Sequence, residues 1–217
     1  MTDHKHATPS SPSHDSLDDV IEGATDEATE DMLVEVVNAI WRGFDSPADI
    51  DALIERRATD GFLFDIDKVS AVAAETFSEK RTSEAGWPLT TDCDRLDRVF
   101  ARLHVLGICA LQCTGDSLRD GVRCVGEALD ASGVEQDRYK GFCFFHTQDI
   151  DRALDDEGLF LAFGPIDSDS VEDEDEIAIG QTICEALREA GLEPDWNGSG
   201  AVRIGLPRFC WQRRTPA

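Results

Sequence analysis

Residues 139–164, YKGFCFFHTQDIDRALDDEGLFLAFG, decide how this chain is read. Two apolar runs within them, Phe142–His146 and Leu159–Phe163, are aromatic-rich and too short for helices, so they are expected as buried strands. Between them Asp149–Leu154 reads as a short helical turn. The link carries His146, Gln148 and Asp149, where dense core-forming residues abut a cluster of titratable and amide side chains. Strand ends position polar groups firmly, and ligands commonly bind at the ends of sheets.

Upstream, residues 90–94 (TTDCD) open a helix with Leu96, Val99, Phe100, Leu103 and Leu106 on its inner face and Gly107 at its stop. Ile108–Cys113 is expected as the first strand, followed by a helix with Leu118, Val122, Val125 and Leu129 facing inward as far as Gly133. Downstream, a helix with Ile179, Ile183, Leu187 and Ala190 on one side closes at Gly191. Leu192–Trp196, the turn at 197–200 (NGSG) and alternating Val202, Ile204 and Leu206 suggest a terminal pair of strands. Strand, helix, strand, strand, helix, strand is the order of a ferredoxin-like split β-α-β unit, here with an extra C-terminal strand. The expected class is α+β, a two-layer sandwich preceded by an N-terminal helical segment.

That segment follows residues 1–28, a Ser, Pro and acid-rich stretch with too few apolar residues to offset its ordering entropy, expected as a disordered tail. Its His4, His6 and His14 read as incidental. Leu33, Val36, Val37, Ile40, Trp41 and Phe44 then recur at helical spacing. Ser46-Pro47 supplies a cap and a first-turn proline ahead of Ile50, Leu53 and Ile54. Val69, Val72, Ala73, Thr76 and Phe77 form a third stripe. One domain is expected over 29–217, with 29–85 helical and 86–217 the α+β core.

A formal charge of -25, from 45 acidic and 20 basic residues, puts a negative field over most of the surface. Nucleic acid and anionic lipid carry the same sign, and the one candidate basic patch, Arg203, Arg208, Arg213 and Arg214, is small. Neither is expected as a partner. Aspartate outnumbers glutamate and arginine outnumbers lysine, a balance that fits either a GC-rich genome or a surface adapted to high salt. Seven cysteines lie mostly inside apolar runs, with no CxxC pair, and the first thirty residues hold no apolar run suited to a signal peptide. These point to a soluble protein of the reducing cytoplasm. No run approaches the roughly 20 apolar residues that span a bilayer.

The runs TTDCDRLDRVF, FFHTQDIDRAL, GLFLAFG, WNGSGAVRI and WQRR, taken together, resemble a family of bacterial proteins catalogued only as a domain of unknown function. The likeness extends from the first helix to the C-terminus. It implies one evolutionary unit after the tail, and no activity.

His146, Gln148 and Asp149 are the first candidate ligand-binding group, since an imidazole beside a carboxylate suits a general base or pH sensor. The plainer alternative is a helix cap beside a buried, satisfied histidine. Asp92, Asp94 and Arg95 at a helix start are a second candidate, where two carboxylates could hold a cation, against the ordinary role of first-turn acids as dipole partners and caps. The acidic run 167–176 (DSDSVEDEDE) is no calcium loop, because Glu172 stands where glycine is needed and Ala178 where the bidentate acid belongs. Cys113 and His146 lack the surrounding oxyanion-hole glycines of a cysteine hydrolase. Trp196 and Trp211 with Arg203 and Arg208 form a candidate protein-contact patch. No catalytic set, metal site or cofactor is expected. Two classes stay open: a non-catalytic acidic module that contacts a basic protein, and an enzyme or small-ligand binder using a pocket at His146, Gln148 and Asp149.

Overall fold

The structure is a computed structural model that describes residues 14–132, 138–166 and 173–217. The chain divides into two compact units, the first formed by residues up to Ile40 with Asp45–Glu79, the second by Trp41–Phe44 with Lys80–Pro216.

The first unit is helical. Helix α1 spans His14–Arg42, α2 Pro47–Thr59 and α3 Ile66–Glu84. Thus α1 starts inside the stretch expected as a tail, whose residues 1–13 lie outside the described ones. Ser46 caps α2: its hydroxyl accepts the Asp49 N–H at 3.3 Å while Asp49 accepts the Ser46 N–H at 2.9 Å, a reciprocal capping box. The buried stripe of α1 is Met32, Val36 and Ile40, meeting Ile50 and Ile54 of α2 and Val69, Ala73 and Phe77 of α3.

The second unit runs α4 (Asp92–Val105), β1 (Ile108–Leu111), α5 (Leu118–Ser132), β2 (Gly141–Phe144), α6 (Thr147–Leu154), β3 (Leu159–Pro165), α7 (Asp173–Glu189) and β4 (Ile204–Leu206). The sheet order is β1-β2-β3-β4, with β1 and β2 parallel and the other two pairs antiparallel. The α+β class holds, but the ferredoxin-like detail does not. A split unit requires a strand between the two that the crossover joins, whereas Ile108 pairs directly with Gly141 and Leu111 with Phe144. The extra terminal strand is also absent among the described residues, because Leu192–Trp196 gives the sheet only a single bridge, Asp195 to Gly205.

Strand alternation sorts the side chains onto two faces. Ile108, Ala110, Cys143, Leu159, Leu161, Ile204 and Leu206 join Leu96, Val99, Phe100 and Leu103 of α4 and Ile179, Ile183 and Leu187 of α7 in the main core. The other face, with Cys109, Phe142, Phe144 and Ala162, meets α5 through Val125 and Leu129. So α5 adds a partial third layer to the expected two. Its stripe is half exposed: Val125 is buried, but Leu118 and Val122 are 48% and 51% exposed.

Close approach of α5 to the sheet depends on Gly121, where an added Cβ would fall 2.1 Å from a ring carbon of Phe144. Alanine favours a helix over glycine by up to about 1 kcal/mol, while overpacking costs about 1–3 kcal/mol. Phe144 is 1% exposed and has little room to move. Gly121→Ala is therefore expected to lower Tm by several degrees in a thermal melt; a raised Tm would contradict this packing.

Candidate functional site

His146 caps α6, which begins at the end of β2 because Asp149, three residues on, accepts the His146 backbone N–H at 3.2 Å. Asp149 is 1% exposed. Its other oxygen, Oδ1, accepts Arg203 Nη1 at 2.8 Å from the segment leading into β4, and the Arg203 guanidinium lies 5.1 Å over the Phe160 ring. The His146 side chain is buried too. Its Nδ1 stands 3.2 Å from Asp149 Oδ2 but out of hydrogen-bond alignment, leaving that nitrogen without a partner among the described residues. Gln148 points the other way and is exposed. The expected trio thus does not converge, because one helical turn sends positions 146 and 149 inward and 148 outward.

The carboxyl ends of the parallel strands, where a ligand crevice is usual, are laced together by the chain itself. Thr114 gives its N–H to the Phe145 carbonyl at 3.1 Å, and Thr147 gives its own to Gly115 at 3.0 Å. The Thr147 hydroxyl lies within hydrogen-bond reach of the Gly115 carbonyl and the Asp116 carboxylate. Nearby, Arg42 grips Asp151 through Nε and Nη2 at 2.8 and 2.7 Å. Burial alone would push the Arg42 guanidinium down; the hydrogen bonds and charge of Asp151 override it and hold Arg42 above its ordinary value. None of the clefts described below is lined by His146, Gln148 or Asp149.

Asp92 and Arg95 meet each other at 2.7 Å, and the second Asp92 oxygen accepts the Cys210 N–H at 3.1 Å. With Arg208 and Glu193, also ion-paired, they border a cleft of about 180 Å³. Three expected residues therefore share one depression, and each has a counter-charge already. Its neighbour Asp94 closes the capping box with Thr91 and binds Arg214 at 3.2 Å. Burial would raise the Asp94 carboxyl; the Thr91 N–H and hydroxyl, with Arg214 and Arg98, hold it below the usual aspartate range.

The four arginines of the candidate basic patch are all engaged within the chain, Arg203 by Asp149, Arg208 by Glu193, Arg213 by Asp97 and Arg214 by Asp94. Trp211 is not a contact residue: it is 6% exposed, packs with Phe44, Phe145 and Phe209 at ring-centroid distances of 6.1, 5.8 and 5.9 Å, and donates its N–H to the Arg42 carbonyl. Apolar burial drew it inward although it follows a polar turn. Trp196 is half-buried, with its ring edge-on to Phe163 and its N–H directed at the Ser199 and Val202 carbonyls. Residues 167–172 of the acidic run lie outside the described ones.

One feature escaped the sequence reading. An apolar groove of about 200 Å³ runs between Leu118 and Val122 of α5 and Phe142, Phe144 and Ala162 of the sheet, with Gly200, Ala201 and Arg203 at one end. A second cleft of about 280 Å³, lined by Phe160, Trp196 and Val202, shares the Arg203 wall. The signal was present in α5, whose apolar stripe begins at Leu118 and Val122, both about half exposed.

Fold and sites together define an α+β protein built on a mixed four-stranded sheet, whose most conspicuous polar groups are bonded within the chain. The chain belongs to the family described as a domain of unknown function (DUF6891), which it matches over residues 25–215. No curated protein and no solved structure matches it.

Arg203→Met leaves the Asp149 carboxylate buried without its counter-charge and is expected to cost about 3 kcal/mol. Adding Asp149→Asn should recover more than half in a double-mutant cycle of urea unfolding; strictly additive losses would contradict the pairing. Asp94→Asn is expected to cost about 1 kcal/mol at neutral pH. Because the folded carboxyl is held low, that stability exists above the unfolded pKa of about 3.9 and is lost as pH falls through the folded value. The urea midpoints of the wild type and Asp94→Asn should therefore converge as pH falls below about 3.9, and a pH-independent gap would refute the assignment.

Proposed function

We propose that the protein is a non-catalytic cytoplasmic binding module that contacts a basic partner protein through its acidic exterior. One observation carries this reading: 45 acidic residues stand against 20 basic ones, and nine of the sixteen arginines are already held in ion pairs within the chain. Arg42, Arg57, Arg95, Arg123, Arg152, Arg203, Arg208, Arg213 and Arg214 each have an internal acid partner. These pairs neutralise equal numbers of both signs, and the net charge of -25 steers cationic surfaces toward the protein and repels polyanions. Seven free cysteines support a reducing compartment. Among the described residues no helix is long and apolar enough to cross a membrane.

The reading as an enzyme or small-ligand binder at His146, Gln148 and Asp149 has less behind it. Two of the three are buried and the third faces away. The expected result of a pull-down from cell extract is capture of strongly basic proteins at about 0.05 M salt and their release at about 0.5 M, where screening shortens to a few ångströms. A tightly bound metabolite in the purified protein, with no basic protein captured at either salt, would overturn the proposal.

A further inference from the structure

The groove beside α5 is an apolar opening on the second unit, at the face of the sheet, that the described residues leave open. Its floor is Phe142, Phe144 and Ala162, and its wall is Leu118 and Val122, each about half exposed. At about 200 Å³ it falls below the roughly 300–1,000 Å³ of sites that enclose small molecules. The space suits one or two apolar side chains inserted from a partner.

The charges around it select the partner. At one end Gly200 lies against Glu176, whose carboxylate occupies the place a Cβ on that glycine would need. Glu174, Asp175 and Glu176 stand together in the first turn of α7, and none of them has an ion pair among the described residues. Among the described residues that line the groove the one cation is Arg203, balanced by Asp149 at 2.8 Å and stacked on Phe160. The opening therefore combines an apolar floor, a neutralised base and an uncompensated acidic edge.

Resting on the reading of the protein as an acidic module, we infer that this groove docks a cationic amphipathic segment of the partner, a helix with apolar side chains on one face flanked by lysine or arginine. Its apolar anchors insert between Leu118, Val122 and Phe142, and its basic residues face Glu174, Asp175 and Glu176. A second copy of this chain is disfavoured as occupant by its own charge of -25.

The test uses the full chain and a fluorescent Leu/Lys peptide of about 18 residues, long enough to hold a helix, with a Ser/Lys peptide of equal charge as control, at about 0.15 M salt. The wild type should bind the Leu/Lys peptide, and Leu118→Ser/Val122→Ser should weaken it by about tenfold or more with Tm unchanged. Val122→Ser alone serves if the double variant melts early. Val105→Ser, an exposed apolar residue outside the groove, should bind as the wild type does, and the Ser/Lys peptide should not distinguish the variants. Equal Leu/Lys binding by wild type and double variant overturns the groove while leaving the acidic module standing. Failure of both peptides to bind the wild type overturns the acidic module and the groove with it. Sedimentation of the wild type as a dimer and of the double variant as a monomer overturns the inference in favour of self-association.

Discussion

The second unit depends on a carboxylate that water cannot reach. Asp149 is 1% exposed, and an ion so placed is tolerated only where counter-charge and hydrogen bonds replace its hydration. Arg203 supplies the charge and the His146 N–H a bond, joining positions 54 residues apart. The pair fastens the approach to β4, a strand of only three residues, to the start of α6. His146 and Asp149 are both buried there, at the end of β2.

Much of the architecture was legible in advance because it rests on local rules. The capping box at Thr91 and Asp94, the Ser46-Pro47 start and the apolar runs at 108–111, 141–144 and 159–165 each have a short-range signature, and each element formed within a few residues of its expected place. Strand order has no such signature. Whether β2 lies beside β1 or is held apart from it depends on long-range pairing, and the succession of elements is the same in both arrangements. The geometry at His146, Gln148 and Asp149 was hidden for a related reason. Proximity in sequence brought His146, Gln148 and Asp149 to notice, but the partner that decides their role, Arg203, lies beyond another strand and another helix.

The C-terminal arginines illustrate how charge can be misread from composition. Clustered in sequence, they resemble a basic patch; folded, Arg213 reaches Asp97 and Gln112 at 2.6 Å each while its guanidinium sits 4.4 Å over Phe44. Thr215 binds Glu84 through its N–H and hydroxyl at 2.7 and 2.8 Å. These bonds hold residues 208–215 as a strap on the second unit and consume its positive charge.

The central claim is that the carboxyl end of the parallel strands is closed by the chain's own bonds, from Thr114 to Phe145 and from Thr147 to Gly115. Residue-resolved amide hydrogen exchange on the whole chain tests it most directly. The account predicts that the amides of Thr114, His146 and Thr147 exchange as slowly as those of Gly141–Phe144. Rapid exchange at these three positions beside a protected β2 would mean that the end of the sheet opens to solvent, and would contradict it.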